Sequence, residues 1–398
     1  MGSSLKIGML TDNYPHSGGA GGIGSYTREV AEQLARMGHD SHVFTPALVP
    51  RLQMRRINDV SVWECPLWGR RREMPIANAI EFTLRYRADS TLVGRYALTH
   101  AVRRAAWHGR FDVIESPDFG ALGELVSGKK YARRFAVRIH GSAMDQIING
   151  GALNAPSNKD TAAERALALN ADVLTVTTEP TLHNVSKIWG RPLDRARIIG
   201  NPVGYPGVSK RGGSAACSAI CFGRLELRKG GDILAAAIGK VRILFPDFVV
   251  RFVGQDCLWP TGEVGSEVIA RVAAEHGGEG GCVICPRVSG TELVRMAQSS
   301  TLCVFPSRAE GFGIGVVEAM LWGVPTVLSD LPVFRTLGEQ ETHCLFAETG
   351  NPDSFSEQIC RLLADEELGA RLSANAREHA QRYSVERIVP ELLDAWLS

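Results

Sequence analysis

The feature that most constrains the fold is a regular alternation of short apolar strands with amphipathic helices. Near the start, a strand at residues 6–10 precedes a glycine-rich loop, a helix at 25–37 and a second strand at 42–45. Two strands joined through a helix pair in parallel, because the helix returns the chain to the edge of the sheet where the first strand began. The alternation therefore predicts an α/β fold built on doubly wound parallel sheets.

The alternation occurs in two series, and a chain of 398 residues exceeds the usual size of one hydrophobic core. A segment rich in glycine, proline and serine at residues 204–214 separates them and is the predicted linker. We expect a first domain at 1–203, a second at 215–382 and a last helical segment at 383–398. Two facing Rossmann-like sheets would bring the loops at the carboxyl ends of their strands into one deep cleft. The other predicted elements are strands at 111–115, 135–139, 173–176, 196–199, 219–222, 249–253, 283–285, 301–305 and 326–328, and helices at 120–131, 160–169, 180–189, 232–243, 263–275 and 314–322.

Composition and charge exclude several classes of protein. The net charge of +1 gives no reason to expect nucleic acid as a partner, and no apolar run is long enough to span a bilayer. We expect no signal peptide, and nine cysteines without the spacing of a disulfide framework indicate a reducing, cytoplasmic location. Cys282 and Cys285 have the spacing of a zinc or redox pair, but their apolar neighbours favour a buried strand.

The stretch 305–325, FPSRAEGFGIGVVEAMLWGVP, carries the strongest chemical signal. Glu310 opens a turn without bulky side chains, and Glu318 follows in a short helix. The first amides of that helix favour an anion, the glycines allow close approach to the backbone, and carboxylates accept hydrogen bonds from sugar hydroxyls. The alternative is an ordinary surface turn with a solvated glutamate.

A second turn, Gly223-Arg224-Leu225-Glu226-Leu227-Arg228-Lys229-Gly230, opens the second half of the chain. Arg224 and Lys229 flank the start of a helix there, and two cations beside helix amides suit a diphosphate. The alternative is a pair of exposed basic residues in a loop.

Other candidates lie in the first half. The glycine loop at residues 18–24 suggests dinucleotide binding, but its spacing is loose and no acidic residue ends the second strand to hold a ribose; the alternative is a tight turn into the helix. His140 ends a strand and either faces the cleft or merely terminates the strand. One of three carboxylates at the same edge is expected to orient an acceptor: Glu115, Asp118 and Asp145.

A basic stretch covers residues 70–110 and includes Arg70, Arg71, Arg72, Arg85, Arg87, Arg95, Arg103, Arg104 and Arg110. Such a run is either a solvated face, a site for a phosphate-bearing acceptor, or a peripheral contact with an anionic membrane between Arg70 and Arg104.

Taken together, these motifs resemble the retaining glycosyltransferases of family 4, which have the GT-B fold. The resemblance spans most of the chain and rests on five short motifs: Gly21-Gly22, His140-Gly141, Asn201-Pro202, Gly223-Arg224 with Lys229-Gly230, and Glu310-Gly311-Phe312-Gly313 through Glu318-Ala319.

The resemblance implies roles for these residues. Glu310 would contact the hydroxyls of a donor sugar beside the amides of Gly311, Phe312 and Gly313, and Glu318 would hold the nucleotide ribose. Arg224 and Lys229 would bind the diphosphate. Gly22 would contact the phosphates, His140 the sugar, and the last helix would cross back onto the first domain. The loop with Arg287 and Val288 would frame the base, although Pro286 stands where a glycine is common.

The function this predicts is metal-independent transfer of a hexose from a UDP- or GDP-type sugar to an acceptor hydroxyl with retention, and no cofactor. Saccharide, lipid and small natural-product acceptors stay open. The rival predictions are a sugar-nucleotide epimerase or phosphorylase of the same architecture, and a protein that binds a nucleotide sugar without catalysis.

Overall fold

The computed structural model describes residues 4–14, 21–66, 91–141, 158–204 and 217–398. These residues divide into two compact units. The first contains the described residues up to 141, residues 158–202 and the terminal segment Val385–Ser398, and the second contains Val203–Ser384. Each unit is a parallel-sheet α/β domain, as the alternation predicts, whereas the facing arrangement and the cleft stay predictions.

The first unit is built on an eight-stranded sheet in the order β3-β4-β2-β1-β5-β6-β7-β8, and only β3 runs antiparallel to its neighbour. Its strands are β1 (Lys6–Leu10), β2 (Asp40–Ala47), β3 (Gln53–Ile57), β4 (Val60–Pro66), β5 (Phe111–Pro117), β6 (Ala132–Ile139), β7 (Val173–Val176) and β8 (Arg197–Ile198). Its helices are α1 (Gly22–Arg36), α2 (Thr91–Ala105), α3 (Asn158–Asn170), α4 (Glu179–Trp189) and, from the end of the chain, α12 (Val385–Leu397).

The second unit is built on a six-stranded parallel sheet in the order β11-β10-β9-β12-β13-β14. Its strands are β9 (Ser218–Phe222), β10 (Val249–Gly254), β11 (Cys282–Pro286), β12 (Leu302–Phe305), β13 (Thr326–Ser329) and β14 (Leu345–Ala347). Its helices are α5 (Gly231–Leu244), α6 (Gly265–Glu275), α7 (Gly290–Ser299), α8 (Ile314–Leu321), α9 (Pro332–Arg335), α10 (Pro352–Ala364) and α11 (Glu366–Ala380).

The strand order of the second unit positions its site. The chain proceeds outward from β9 through β10 to β11, then returns to the other side of β9 with β12. Adjacent strands β9 and β12 therefore feed loops that diverge in opposite directions, which opens a crevice at their carboxyl ends. In the first unit, β1 and β5 are the corresponding pair.

Helix α12 packs within the first unit although it is last in sequence. Its apolar side chains Val389, Leu392 and Trp396 are buried in the core cluster that also contains Ile7 and Tyr26. A helix with one apolar stripe must cover it, and α1 together with the sheet supplies that surface.

One prediction for the first unit is wrong, and one hairpin was not predicted. Residues 120–131 form a single 3₁₀ turn followed by further turns in place of an α-helix. Gly120 has a φ of 68°, in the left-handed region, and a Cβ at Gly123 would lie 2.5 Å from Phe135, so neither glycine is an ordinary helical position. The stretch after residue 51 contains an unexpected hairpin, β3–β4, whose turn at Asn58 and Asp59 has positive φ at both residues.

Candidate active site

In the second unit, the loops that follow β9 and β12 meet at the crevice. Lys229 lies in the first loop and Glu310 in the second, and the Lys229 Nζ to Glu310 Oε1 distance is 2.5 Å. Arg308, in the second loop, makes a further connection. Its guanidinium donates to both carboxylate oxygens of Asp232, in the first turn of α5, at 2.8 and 2.6 Å. The two sequence motifs predicted to act on one ligand are thus adjacent in space.

The contact between the loops depends on Gly230. This residue has φ 67° and ψ 27°, and a Cβ built on it would lie 1.9 Å from the carbonyl oxygen of Pro306. Only glycine satisfies both demands, since any other residue clashes with that backbone and disfavours that φ. The Lys229-Gly230 pair therefore combines a cation with the turn that brings it to Glu310.

Glu310 is an almost buried carboxylate whose side chain is 9% exposed. It accepts hydrogen bonds from Lys229, from Ser307 Oγ at 3.0 Å and from Arg228 Nη1 at 3.0 Å. Burial opposes ionisation, but Lys229 and Arg228 outweigh it and lower the pKa of Glu310 to about 2. Glu310 is therefore anionic throughout the physiological range.

The other cation of the predicted diphosphate site, Arg224, is 43% exposed and donates to Glu226 Oε2 at 3.0 Å. Glu226 is buried and also accepts from Arg228 at 2.7 Å. Together Arg224, Glu226, Arg228, Lys229 and Glu310 form what we call the charged cluster. Its three cations and two carboxylates carry a formal charge of +1, which suits an anionic ligand.

Helix α8 begins at Ile314, four residues after Glu310. Its N-cap is Gly313, with φ 97°, and Phe312 is buried against Tyr383 with ring centroids 5.4 Å apart. This anchor holds the turn while Gly311 stays partly exposed. Glu318 lies one turn into α8 and is half-buried.

The base-framing candidates Arg287 and Val288 follow β11, at the carboxyl edge of the same sheet. Arg287 is exposed and Val288 packs partly on the core. Cys282 and Cys285 of β11 pack against different hydrophobic clusters, on opposite faces of the sheet. They therefore do not face one another across a single site. The prediction of a buried strand is wrong, because β11 is the edge strand of the sheet, both cysteines are only partly buried and Val283 is 40% exposed.

In the first unit, Gly22 is the first residue of α1, where helix amides lack intrahelical partners. Glu115 lies near the carboxyl end of β5, at the same edge of the sheet, but its carboxylate is buried. It accepts hydrogen bonds from Tyr26 Oη at 2.9 Å and from Trp396 Nε1 at 3.1 Å. Burial, only partly offset by Arg138 and these hydrogen bonds, raises the pKa of Glu115 to about 7. This placement favours a structural contact between β5 and α12 over an exposed acceptor-binding carboxylate.

Asp118 is also buried, and its Oδ1 accepts a hydrogen bond from the His140 amide at 3.0 Å. Burial raises the pKa of Asp118 to about 6, against several backbone N–H groups that lower it. The carboxylate thus orients the strand end that carries His140. The third candidate, Asp145, lies outside the described residues, as do residues 18–20 of the glycine loop.

His140 is partly exposed at the end of β6, and its ring meets the edge of Tyr26 with centroids 4.8 Å apart. Burial and the nearby Arg138 lower the pKa of His140 well below its usual value, so the ring is neutral. Arg138 is itself buried and donates to the side chain of Asn201 and to the carbonyl of Ile199. These contacts join the His140-Gly141 and Asn201-Pro202 motifs.

Glu115 is expected to make stability depend on pH. The unfolded carboxyl ionises near 4.5 while the folded one keeps its proton to about 7, so stability falls as pH rises through that interval, by roughly 3 kcal/mol. Glu115→Gln should remove this fall, measured as the free energy of unfolding in denaturant at pH 5 and pH 8. Glu391→Gln, an exposed position on α12, is the control. Equal pH dependence in wild type and Glu115→Gln would contradict the assignment.

Sequence reasoning assigned no role to several residues of these networks: Glu226, Arg228, Ser307, Tyr26, Arg138 and Trp396. Glu226 and Arg228 had a local signal, since they lie in the predicted phosphate turn, and Ser307 lies three residues before Glu310. Tyr26 and Trp396 act through Glu115, which is distant from both in the chain.

Comparison with known proteins matches each half of the chain to a glycosyltransferase family model. Residues 21–202 match the family model described as "Glycosyl transferase 4-like domain", and residues 218–379 match "Glycosyl transferases group 1". D-inositol 3-phosphate glycosyltransferase 1 of Catenulispora acidiphila is 26% identical over 98% of this chain and 94% of its own.

Solved structures show the same fold. Sucrose-phosphate synthase of Thermosynechococcus elongatus superposes with a TM-score of 0.78 at 19% identity, covering 98% of both chains. HepE of Anabaena, solved with UDP and glucose, gives a TM-score of 0.72 at 17% identity, covering 99% of this chain and all of the other.

The two α/β domains are those of the GT-B class of enzyme. Cations and a carboxylate lie in the second domain at the carboxyl ends of β9 and β12, where the strand order reverses. The chain belongs to the family 4 type of these glycosyltransferases, as the motifs predicted, and is a glycosyl-transferring enzyme. Within the described parts of the chain, no helix has the length and apolar character needed to cross a bilayer.

Proposed function

We propose that this enzyme transfers a hexose from a nucleotide diphosphate sugar to an acceptor hydroxyl with retention at the anomeric carbon. The observation that carries the proposal is the meeting of Arg224, Lys229 and Glu310 at the carboxyl ends of β9 and β12. Cations beside an anionic carboxylate suit a ligand that joins a diphosphate to a hydroxyl-rich sugar.

In this proposal the chain's own cations do the work that a metal ion does elsewhere. Arg224 and Lys229 bind the diphosphate and stabilise the charge that grows on the departing phosphate. Glu310 and the amides of Gly311, Phe312 and Gly313 hold the sugar, and Glu318 binds the ribose. The acceptor attacks from the face that the phosphate leaves, and the phosphate takes its proton. A chelator should leave turnover unchanged.

The remaining donor contacts are proposed from the family motifs. Gly22 and His140 of the first unit contact the donor, the neutral His140 through its ring or its carbonyl. Arg287 and Val288 frame the base. Asp118 orients His140 through the backbone hydrogen bond.

The names of similar proteins support a choice of donor and acceptor. HepE was solved with UDP-glucose, and similar proteins from Catenulispora acidiphila and Acidothermus cellulolyticus are named D-inositol 3-phosphate glycosyltransferases. We propose a UDP-type donor, with a GDP-type donor as the alternative, and a phosphorylated polyol as the first acceptor to test. Saccharide, lipid and small natural-product acceptors complete the series.

The test begins with calorimetric binding of UDP- and GDP-sugars to the purified enzyme. The donor that binds is then incubated with each acceptor, and nucleotide release and anomeric configuration are measured. Nucleotide release that requires the acceptor, with a retained anomer, supports the proposal. Turnover of the donor alone would indicate an epimerase, and binding without turnover across all acceptors would indicate a non-catalytic protein.

We also propose peripheral contact with an anionic membrane through the basic stretch, at its described end. Arg103 and Arg104 are exposed, and Trp107 beside them is 77% exposed. Cations next to an exposed indole suit an anionic interface. Arg95 takes no part, because it is buried and donates to Glu124 at 2.6 Å, and the segment 67–90 lies outside the described residues.

The membrane proposal predicts co-sedimentation with phosphatidylglycerol vesicles and not with phosphatidylcholine vesicles. Arg103→Glu with Arg104→Glu should abolish it, and undiminished binding by that variant would contradict the proposal. A cytoplasmic location likewise remains our proposal; its support is that the nine cysteines form no disulfide.

A further inference from the structure

Arg228 lies at the centre of the charged cluster, yet neither the family motifs nor the proposed function assigns it a role. Its side chain is 13% exposed and its guanidinium contacts three acceptors. Nη1 donates to Glu310 Oε2 at 3.0 Å and to the Ala309 carbonyl at 2.8 Å, while Nη2 donates to Glu226 Oε1 at 2.7 Å. A planar guanidinium bound on two sides is fixed in position.

Lys229 differs from Arg228 in both exposure and bonding. Its side chain is 29% exposed, and its ammonium makes one side-chain contact, with Glu310 Oε1. An ammonium on a flexible four-carbon stem can exchange one oxygen partner for another at low cost. A diphosphate that arrives at the start of α5 offers such oxygens beside the same turn.

The two cations would therefore have different fates when a donor binds. If Lys229 turns to the diphosphate, Glu310 keeps only Ser307 unless a second cation remains. A buried carboxylate without a cation is costly, and truncating one partner of a buried pair is correspondingly severe. Arg228 is positioned to prevent this because its bond reaches the other oxygen of Glu310.

We infer that Arg228 is a positioning residue that holds and neutralises Glu310 while Lys229 leaves it to bind the donor diphosphate. The inference rests on the proposed donor binding. Burial alone would lower the pKa of Arg228, but Glu310 and Glu226 raise it above its ordinary value, so the guanidinium keeps its charge.

The test measures the affinity for the donor against pH, from pH 5.5 to 8, by titration calorimetry. A nucleotide diphosphate sugar has no phosphate group that titrates in this interval, so any dependence comes from the protein. In wild type Glu310 should add no pH dependence, because it stays ionised with or without Lys229; any dependence from Asp118, which holds the His140 amide, is shared by wild type and variant. In Arg228→Gln, binding should take up a proton on Glu310 and weaken as pH rises, by up to tenfold per pH unit.

The matched control is Arg308→Gln. Arg308 joins the same two loops through Asp232 and the Leu227 carbonyl, but makes no hydrogen bond to Glu310. It should lower the unfolding temperature and leave the pH dependence of donor affinity as it is in wild type. Arg228→Lys should restore part of the wild-type behaviour, since one ammonium reaches one carboxylate. Arg228→Met, which also lacks the charge, carries the test if Arg228→Gln does not fold.

The possible outcomes distinguish the role of Arg228 from the proposed function. If wild type binds no nucleotide sugar, the proposed function fails. If wild type binds and Arg228→Gln, or Arg228→Met in its place, binds with the same affinity and the same pH dependence as wild type, the role of Arg228 is refuted while the proposed function stands. The same result for Arg308→Gln as for Arg228→Gln would reduce Arg228 to a purely structural residue.

Discussion

Glu310→Gln is expected to reduce turnover about a hundredfold, equivalent to a loss of roughly 3 kcal/mol in the transition state. The substitution keeps the shape of the side chain but places an amide where two cations and a hydroxyl donate, so at least one donor meets an NH₂ group. The charge that orients the sugar and fixes Lys229 is also lost. The measurement is kcat with the donor and acceptor identified by the binding screen.

The control for this variant is Glu263→Gln. Glu263 lies in the same domain and also pairs with an arginine, Arg271, at 2.8 Å, but it is exposed. An exposed ion pair contributes little, so turnover should match wild type. Full activity of Glu310→Gln, in a protein that unfolds at the wild-type temperature, would show that the site is misplaced.

Gly230→Ala is expected to destabilise the second domain by on the order of 4 kcal/mol and to abolish activity. The added Cβ would lie 1.9 Å from the Pro306 carbonyl oxygen, so the loop that carries Glu310 must move. The left-handed φ of 67° adds a smaller cost of about 1 kcal/mol. Chemical denaturation measures the stability, and donor binding measures the site.

Gly190→Ala provides a matched control because the backbone is almost the same. Gly190 has φ 63° and ψ 29°, against 67° and 27° at Gly230, and nothing lies within 4 Å of its Cβ position. It should therefore show the cost of the left-handed conformation alone. Equal effects of the two substitutions would mean that the contact between the loops is not what requires glycine at 230.

The predicted elements that the structure confirms are those with strong local patterns. The strands β1, β7 and β9 and the helices α5 and α8 agree to within a residue or two, because hydrophobic period and capping glycines are properties of neighbouring residues. The failure at 120–131 has a tertiary cause. The segment has acceptable helical periodicity, but a Cβ at Gly123 would lie 2.5 Å from Phe135 and 2.7 Å from Ser116, neighbours that only the packed domain supplies.

The partners of the candidate side chains were beyond prediction. Glu310 is 81 residues from Lys229, and Glu115 is 281 residues from Trp396, yet each pair shares a hydrogen bond. Glu115 illustrates the consequence: a carboxylate at the end of a strand suggests acceptor binding, but α12 covers it and Trp396 donates to it. No pattern along the chain encodes that contact.

The amino-acid sequence alone determines three features: the two alternating halves, the glycine turns at the strand ends, and the types of residue found in those turns. Each depends on interactions between residues a few positions apart. Tertiary structure decided which turns adjoin, which carboxylate is buried and which arginine touches Glu310. The physical reason is that parallel strand order brings distant loops to one edge, and burial there sets the charge and the partner of each group.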